Sequence, residues 1–360
     1  MGSLDWLVRR RRRRSTDHTV YKTSGMTATL TARFPGPDTI ACLRGAESPV
    51  RRWKVLSLSV VILMSPGARR LRVAVRHGGA AFLLALLAAC GSKSSEGPAP
   101  APGPITSPAV SYTAIGASDA IGIGSSSPCL PFAPCPDGKG YVPSVARELE
   151  RRGSTVTLTN LGVPGAVLAP SIQELGNQYG RGIPANFEEQ EGPFVPRTST
   201  LVTIFAGGND VNAVATAIDR GGAGSDVNGY IDRQIQDFGA SYNRLVDVVR
   251  SRTPGARIIA LNLPNFATLP YTTRYTGEQK QWMRRISVGF SRAANALTAK
   301  RVLVVDLLCD ERSYDGGNYS SDGFHPNDAG YAFITDLVVQ AATSTIASPR
   351  SDCAAAHVGE

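Results

Sequence analysis

Five short apolar runs rich in β-branched residues, separated by long stretches of helical period, constrain this chain more than any other feature. The runs are Tyr112 to Ile115, Val156 to Leu161, Leu201 to Ala206, Arg257 to Leu263 and Val302 to Leu308. Between them, Val142 to Arg151 reads as helix. So does Val227 to Arg250, where Ile231, Ile235, Phe238, Tyr242, Leu245 and Val249 recur at spacings of three and four. Glu278 to Lys300 and Asn327 to Ile346 complete the helical set. Alternation of this kind predicts an α/β fold, a parallel sheet covered by helices on both faces.

In such sheets the reactive residues gather at the C-terminal ends of the strands, and that rule sorts the motifs. Gly116-Ala117-Ser118-Asp119 follows the first run, and Asn160-Leu161-Gly162-Val163-Pro164-Gly165 ends the second. Gly207-Gly208-Asn209-Asp210 follows the third, and Asp322-Gly323-Phe324-His325-Pro326 lies after the fifth, before the last helix. All four are expected at one edge of the sheet.

Their chemistry is complementary. A serine hydroxyl is a weak nucleophile until an imidazole takes its proton, and the imidazole needs a carboxylate to fix its tautomer. Ser118, His325 and Asp322 supply those three groups. Attack on an ester carbonyl creates an oxyanion, which needs donors already in place. The Ser118 N–H, a glycine N–H from the second loop and the Asn209 amide suit that task. Each motif alone also has an ordinary structural role: a turn serine, a cap at Asn209-Asp210 or a helix start at Pro326. Their order, one per strand end, favours the chemical reading. His325 and His357 are the only histidines after Cys90. The second lies in the expected C-terminal tail, residues 348–360, which leaves His325 as the base.

These four blocks resemble the SGNH hydrolases, or GDSL esterase/lipase family, over nearly all of residues 110 to 345. The resemblance implies a three-layer α/β/α sandwich with a five-stranded parallel flavodoxin-like sheet. It implies Ser118 as nucleophile, His325 as base, Asp322 as its orienting acid and Asn209 as an oxyanion donor. The family's glycine donor follows an Asn by five positions, which selects Gly165 over Gly162. Ala117 departs from the family pattern, since the motif has Asp before the nucleophile and here the Asp follows, at Asp119. The expected activity is hydrolysis of a carboxylic ester, whether lipid, acetylated carbohydrate or another small ester, with no metal or organic cofactor. Acyl transfer to a sugar hydroxyl would use the same triad, and a surface-anchored binding module would keep the fold without the chemistry. An α/β-hydrolase elbow is the other enzyme reading, but Ala120 stands where that motif needs glycine.

Substrate selection is expected in three connections. These are the insertion from Ser125 to Gly138, residues 177 to 198 with Tyr179, Phe187 and Phe194, and Phe266 to Tyr275. Residues 109–347 form the catalytic domain, expected to act as a monomer.

The net charge of +9 suggests a nucleic-acid partner until its distribution is considered. Residues 1 to 89 hold 16 Lys/Arg against 4 Asp/Glu, whereas residues 90 to 360 hold 22 against 25. No nucleic-acid partner is therefore expected. Arg69, Arg70, Arg72 and Arg76 precede a short apolar segment, Gly78 to Ala89, and Leu87-Ala88-Ala89-Cys90 resembles the bacterial lipobox. Residues 64–89 read as a lipoprotein signal peptide, and residues 1–63 as an extension outside the natural product or a disordered arm. Residues 90–108 read as a tether rich in Gly, Ser and Pro, carrying a lipid on Cys90 that holds the domain at the membrane of the cell envelope. Four cysteines remain, an even number in a chain expected to be exported. Of the three pairings they allow, Cys129 with Cys135 and Cys309 with Cys353 is favoured; a metal site is not expected, since no CxxC is present.

Overall fold

The structure, a computed structural model, describes residues 102–344, 349 and 353–358. They fall in the unit Pro98–Glu360. The expected signal peptide, the expected lipidation site Cys90 and the first part of the expected tether lie outside the described residues.

Five parallel strands form one sheet in the order β2-β1-β3-β4-β5, with β1 at Ala109–Gly116, β2 at Thr155–Asn160, β3 at Leu201–Phe205, β4 at Arg257–Leu261 and β5 at Leu303–Val305. This is the expected flavodoxin-like order. β1 and β3 are central and almost wholly buried, as their continuous apolar runs require.

Right-handed crossovers put the helix between β1 and β2 on one face and the helices of the later crossovers on the other. α1 (Ser118–Ile121) is a single turn, and α2 (Tyr141–Arg151) covers the first face together with the last helix. α3 (Pro170–Gln178), α4 (Phe187–Gln190), α5 (Gly208–Asp219), α6 (Val227–Arg252) and α7 (Gly277–Asn295) follow, with α5, α6 and α7 packed on one another. α8 (Asp328–Thr343) closes the three-layer sandwich. Strand alternation assigns the two cores: Tyr112 bonds Thr203 Oγ1 at 3.0 Å on the α2 side, while Tyr242 of α6 donates to the Ile204 carbonyl at 3.2 Å.

Several boundaries differ from the sequence expectation. β1 begins at Ala109 because it pairs with β2 from that residue. β5 stops at Val305 because the N–H groups of Leu307 and Leu308 turn to Asn262 Oδ1, at 2.6 and 3.1 Å. β4 stops at Leu261, and Leu263 N–H donates to Ser291 Oγ at 3.0 Å. α3, α4 and α5 were not anticipated as helices; α5 buries Val211, Val214 and Ile218, but its small residues blur the apolar period. α8 starts at Asp328, with Asn327 rather than Pro326 at its boundary.

The ends of the domain are also more firmly attached than expected. Ile105 N–H donates to the Ala342 carbonyl at 2.8 Å, and Arg257 donates to the Pro102 carbonyl at 2.8 Å, so the last tether residues are bound. Disulfides join Cys129 to Cys135 and Cys309 to Cys353. The second carries the tail back onto the domain, where His357 is buried and stacks on Tyr314, ring centroids 4.0 Å apart. The expectation that His357 lies beyond the domain is thereby corrected, while its place against Tyr314 and Glu311 keeps it out of the triad.

Candidate active site

Ser118 stands two residues after the end of β1 and opens the single turn α1. Its hydroxyl lies 2.9 Å from His325 Nε2, and His325 Nδ1 donates to Asp322 Oδ2 at 2.6 Å. The other carboxylate oxygen, Asp322 Oδ1, accepts from Ser320 Oγ at 2.8 Å, Phe324 N–H at 2.8 Å and His325 N–H at 2.9 Å. Desolvation works against ionisation of Asp322, yet the bond from His325 and the other donors outweigh it and bring its carboxyl down to about 2. With Asp322 ionised, the imidazole carries its proton on Nδ1 and leaves Nε2 free to accept from serine.

The donors expected around an oxyanion lie at the neighbouring strand ends. Gly165 has φ +82°, a left-handed conformation that glycine adopts without steric cost. Its N–H donates to no acceptor among the described residues. The Gly162 N–H is occupied instead by Asn160 Oδ1 at 3.1 Å. Asn209 sits in the first turn of α5, after Gly207 at φ +114°, where a Cβ would also press Leu263 Cδ1 at 2.7 Å. One amide proton of Asn209 goes to the Ala166 carbonyl at 3.0 Å, and the second remains available. The Ser118 N–H likewise has no acceptor among the described residues.

Two buried carboxyl groups hold this edge together from beneath. Asp210 Oδ1 accepts from Leu168 N–H at 2.9 Å, so Asn209 and Asp210 grip the glycine loop at adjacent points. Burial pushes its carboxyl up to about 7. Glu191, fully enclosed, accepts the Gly116 N–H at 2.9 Å through Oε2, while Oε1 has no partner. Burial pushes Glu191 up to about 9. Sequence reasoning missed Glu191, since a glutamate before Gly192-Pro193 reads as a loop charge and carries no periodic signal. It missed Ser320 too, which has no motif. Asp119 lines the cavity beside the triad; burial raises its carboxyl and His325 opposes the rise.

That cavity holds about 50 Å³ and is lined by Ala117, Ala166, Phe205, Asn209, Phe266 and Phe324. Phe324 is the hub of an aromatic wall, 4.9 Å from the His325 ring, 5.8 Å from Phe266 and 5.1 Å from Tyr271. The connection from Phe266 to Tyr275 thus reaches the site. The insertion after Ser118 is fastened to the start of α8, where Ser126 N–H and Oγ both donate to Asp328 at 2.7 Å. Its Leu130 and Phe132 are exposed. In the third expected connection, Phe187 belongs to the core and only Phe194 is exposed.

A serine, histidine and aspartate at the C-terminal edge of a flavodoxin-like sheet define a hydrolase of the serine-triad class. The family model for GDSL-like lipase/acylhydrolase matches residues 111–333, and the chain belongs to that family. No curated protein sequence matches it. Among solved structures, the lipase Lip_vut3 from a goat rumen metagenome is 18% identical with a TM-score of 0.45, over 65% of this chain and 98% of that one. An extracellular lipase from Streptomyces rimosus is 20% identical with a TM-score of 0.44, over 64% and 99%. A lipase/acylhydrolase from Enterococcus faecalis is 18% identical with a TM-score of 0.41, over 64% and 94%.

Proposed function

We propose that this protein hydrolyses carboxylic esters through an acyl-enzyme on Ser118. The observation that carries the reading is the unbroken hydrogen-bonded chain from Ser118 Oγ through His325 to Asp322. His325 Nε2 takes the hydroxyl proton as Oγ attacks the ester carbon, and Asp322 steadies the imidazolium. The oxyanion forms where the free N–H groups of Ser118 and Gly165 and the second proton of Asn209 can donate to it. His325 then returns the proton to the departing alcohol. Water, deprotonated by the same imidazole, attacks the acyl-enzyme and releases the acid.

Nitrophenyl esters of increasing acyl length, offered to the purified protein and its Ser118→Ala variant, test this. Turnover of the series is expected in the parent and near-complete loss in the variant; equal rates in both would sink the assignment. Product analysis with an added sugar alcohol separates hydrolysis from acyl transfer.

The same reading holds that the protein is exported and anchored in the bacterial cell envelope by a lipid on Cys90. It is supported by the basic and apolar leader ending in Leu87-Ala88-Ala89-Cys90 and by the two disulfides. Incorporation of labelled palmitate by the parent, and none by Cys90→Ala, is the expected result.

A further inference from the structure

A polar face of α5 leads from Asn209, on the oxyanion side of the site, towards a second cavity. Asn209, Asn212 and Thr216 recur at i, i+3 and i+7, so they share one face of that helix and span roughly 10 Å of its axis. Beside it the aromatic series continues from Phe324 to Tyr271 and Tyr275, whose rings are 5.7 Å apart. Tyr271 O–H donates to Asn212 Oδ1 at 3.3 Å, joining that series to the helix. Further along the same face lies a cavity of about 240 Å³ lined by Arg181, Asn212, Thr216, Arg220, Tyr275 and Trp282.

Two guanidinium groups meet at that cavity. Arg181 donates to Thr216 Oγ1 at 3.3 Å, and Arg220 donates to the Tyr179 carbonyl. Among the described residues no carboxylate lies within ion-pair distance of either. The carboxylate of the cavity, Asp219, accepts from Gln279 at 2.9 Å. Burial lowers the Arg181 guanidinium below its ordinary range, and the nearby charge of Arg220 adds to that. Adjacent arginines held by a hydroxyl and a carbonyl, with donors left over, form a planar fork matched to phosphate or carboxylate oxygens.

The geometry points to an anion subsite at Arg181 and Arg220 that takes the alcohol half of the ester, so that favoured substrates carry a phosphate or carboxylate a few bonds from the ester oxygen. The inference rests on the Ser118 reading for the position of the ester. The apolar cavity beside Phe266 and Phe324 suits the acyl group, which leaves the polar face of α5 for the alcohol. The roughly 10 Å of helix axis from Asn209 to Thr216, the partner of Arg181, sets the reach that the alcohol half must cover.

The test uses the full chain and its Arg181→Gln and Arg220→Gln variants. Three esters with one acyl group are compared: a monoacylglycerol, an acylglycerol 3-phosphate and an O-acyl hydroxy acid. An anionic ester is expected to show the higher kcat/KM, and its advantage over the neutral ester to fall about tenfold in each variant, chiefly through KM. Preference for the phosphate ester or for the hydroxy acid identifies which anion is read. Binding of glycerol 3-phosphate to Ser118→Ala, followed by calorimetry, is independent of turnover and should weaken about tenfold when Arg181→Gln is added. An anionic-to-neutral ratio and a glycerol 3-phosphate affinity that both ignore the arginine substitutions would overturn the subsite. Full turnover in Ser118→Ala alone would instead remove the nucleophile assignment and leave the calorimetric result to decide the subsite.

Discussion

Two carboxyl groups serve the same catalytic edge under opposite physical regimes. Asp322 lies on an open loop with its side chain about half exposed, and it receives four donors. Glu191 is fully enclosed beneath β1 and receives one, the Gly116 N–H, with its second oxygen unpartnered. Donors outnumber the desolvation cost at Asp322 and keep it charged, about 2 against an ordinary 3.8. At Glu191 desolvation wins, about 9 against 4.5, and the group stays neutral. In the proposed mechanism the charge at Asp322 answers the imidazolium of His325. The neutral acid at Glu191 meets only a backbone dipole, for which no charge is required.

Breaking the charged member should give the largest effect. Asp322→Asn keeps the shape but offers an amide where His325 Nδ1–H needs an acceptor, which favours the wrong tautomer. A loss of about a thousandfold or more in kcat is expected, with little change in Tm. Steady-state kinetics beside a thermal melt would show it, and a loss under tenfold would mean that Asp322 only shapes the loop. Asn209→Ala removes one oxyanion donor and its tie to the Ala166 carbonyl; a fall of about a hundredfold in kcat is expected, with KM nearly constant. Breaking the neutral member should act on stability. Glu191→Ala leaves the Gly116 N–H unpaired above a cavity, a loss of about 2 to 4 kcal/mol in denaturant unfolding. Glu191→Gln keeps an acceptor for that N–H and should melt close to the parent near pH 4, where the acid is protonated in both states, and above it at neutral pH.

The charged member was legible in the sequence and the neutral one was not. Asp322 and His325 lie three positions apart in a chain with few histidines, and strand order placed them opposite Ser118. The expected sheet of five parallel strands was readable for the same reason, because β1, β3 and β4 are buried on both faces and therefore written as unbroken apolar runs. Glu191 acts across 75 residues of sequence on a backbone group, and nothing in its neighbours marks it as enclosed. α5 escaped because Gly208, Ala213, Ala215 and Ala217 pack closely without producing a strong apolar stripe. The cavity lined by Asn212 and Arg181 was invisible for a related reason: its lining comes from segments that only the crossovers bring together, and Arg181 reads as one more surface charge.

The contrast sharpens furthest as a function of pH. Glu191 has its folded value raised, so between about 4.5 and 9 the folded chain holds a proton that the unfolded chain has released. Its contribution to stability is therefore complete below 4.5 and is lost as pH rises towards 9. Asp322 has the opposite sign: its contribution is present above 3.8 and is lost as pH falls through about 2. Glu191→Gln should then melt close to the parent near pH 4 and increasingly above it from pH 6 to pH 9. Asp210, raised only to about 7, should give Asp210→Asn a smaller gain that levels off near neutrality. Parallel melting curves for parent and Glu191→Gln across that range would show that Glu191 is ionised in the folded protein, and the distinction between the two carboxyl groups would fall.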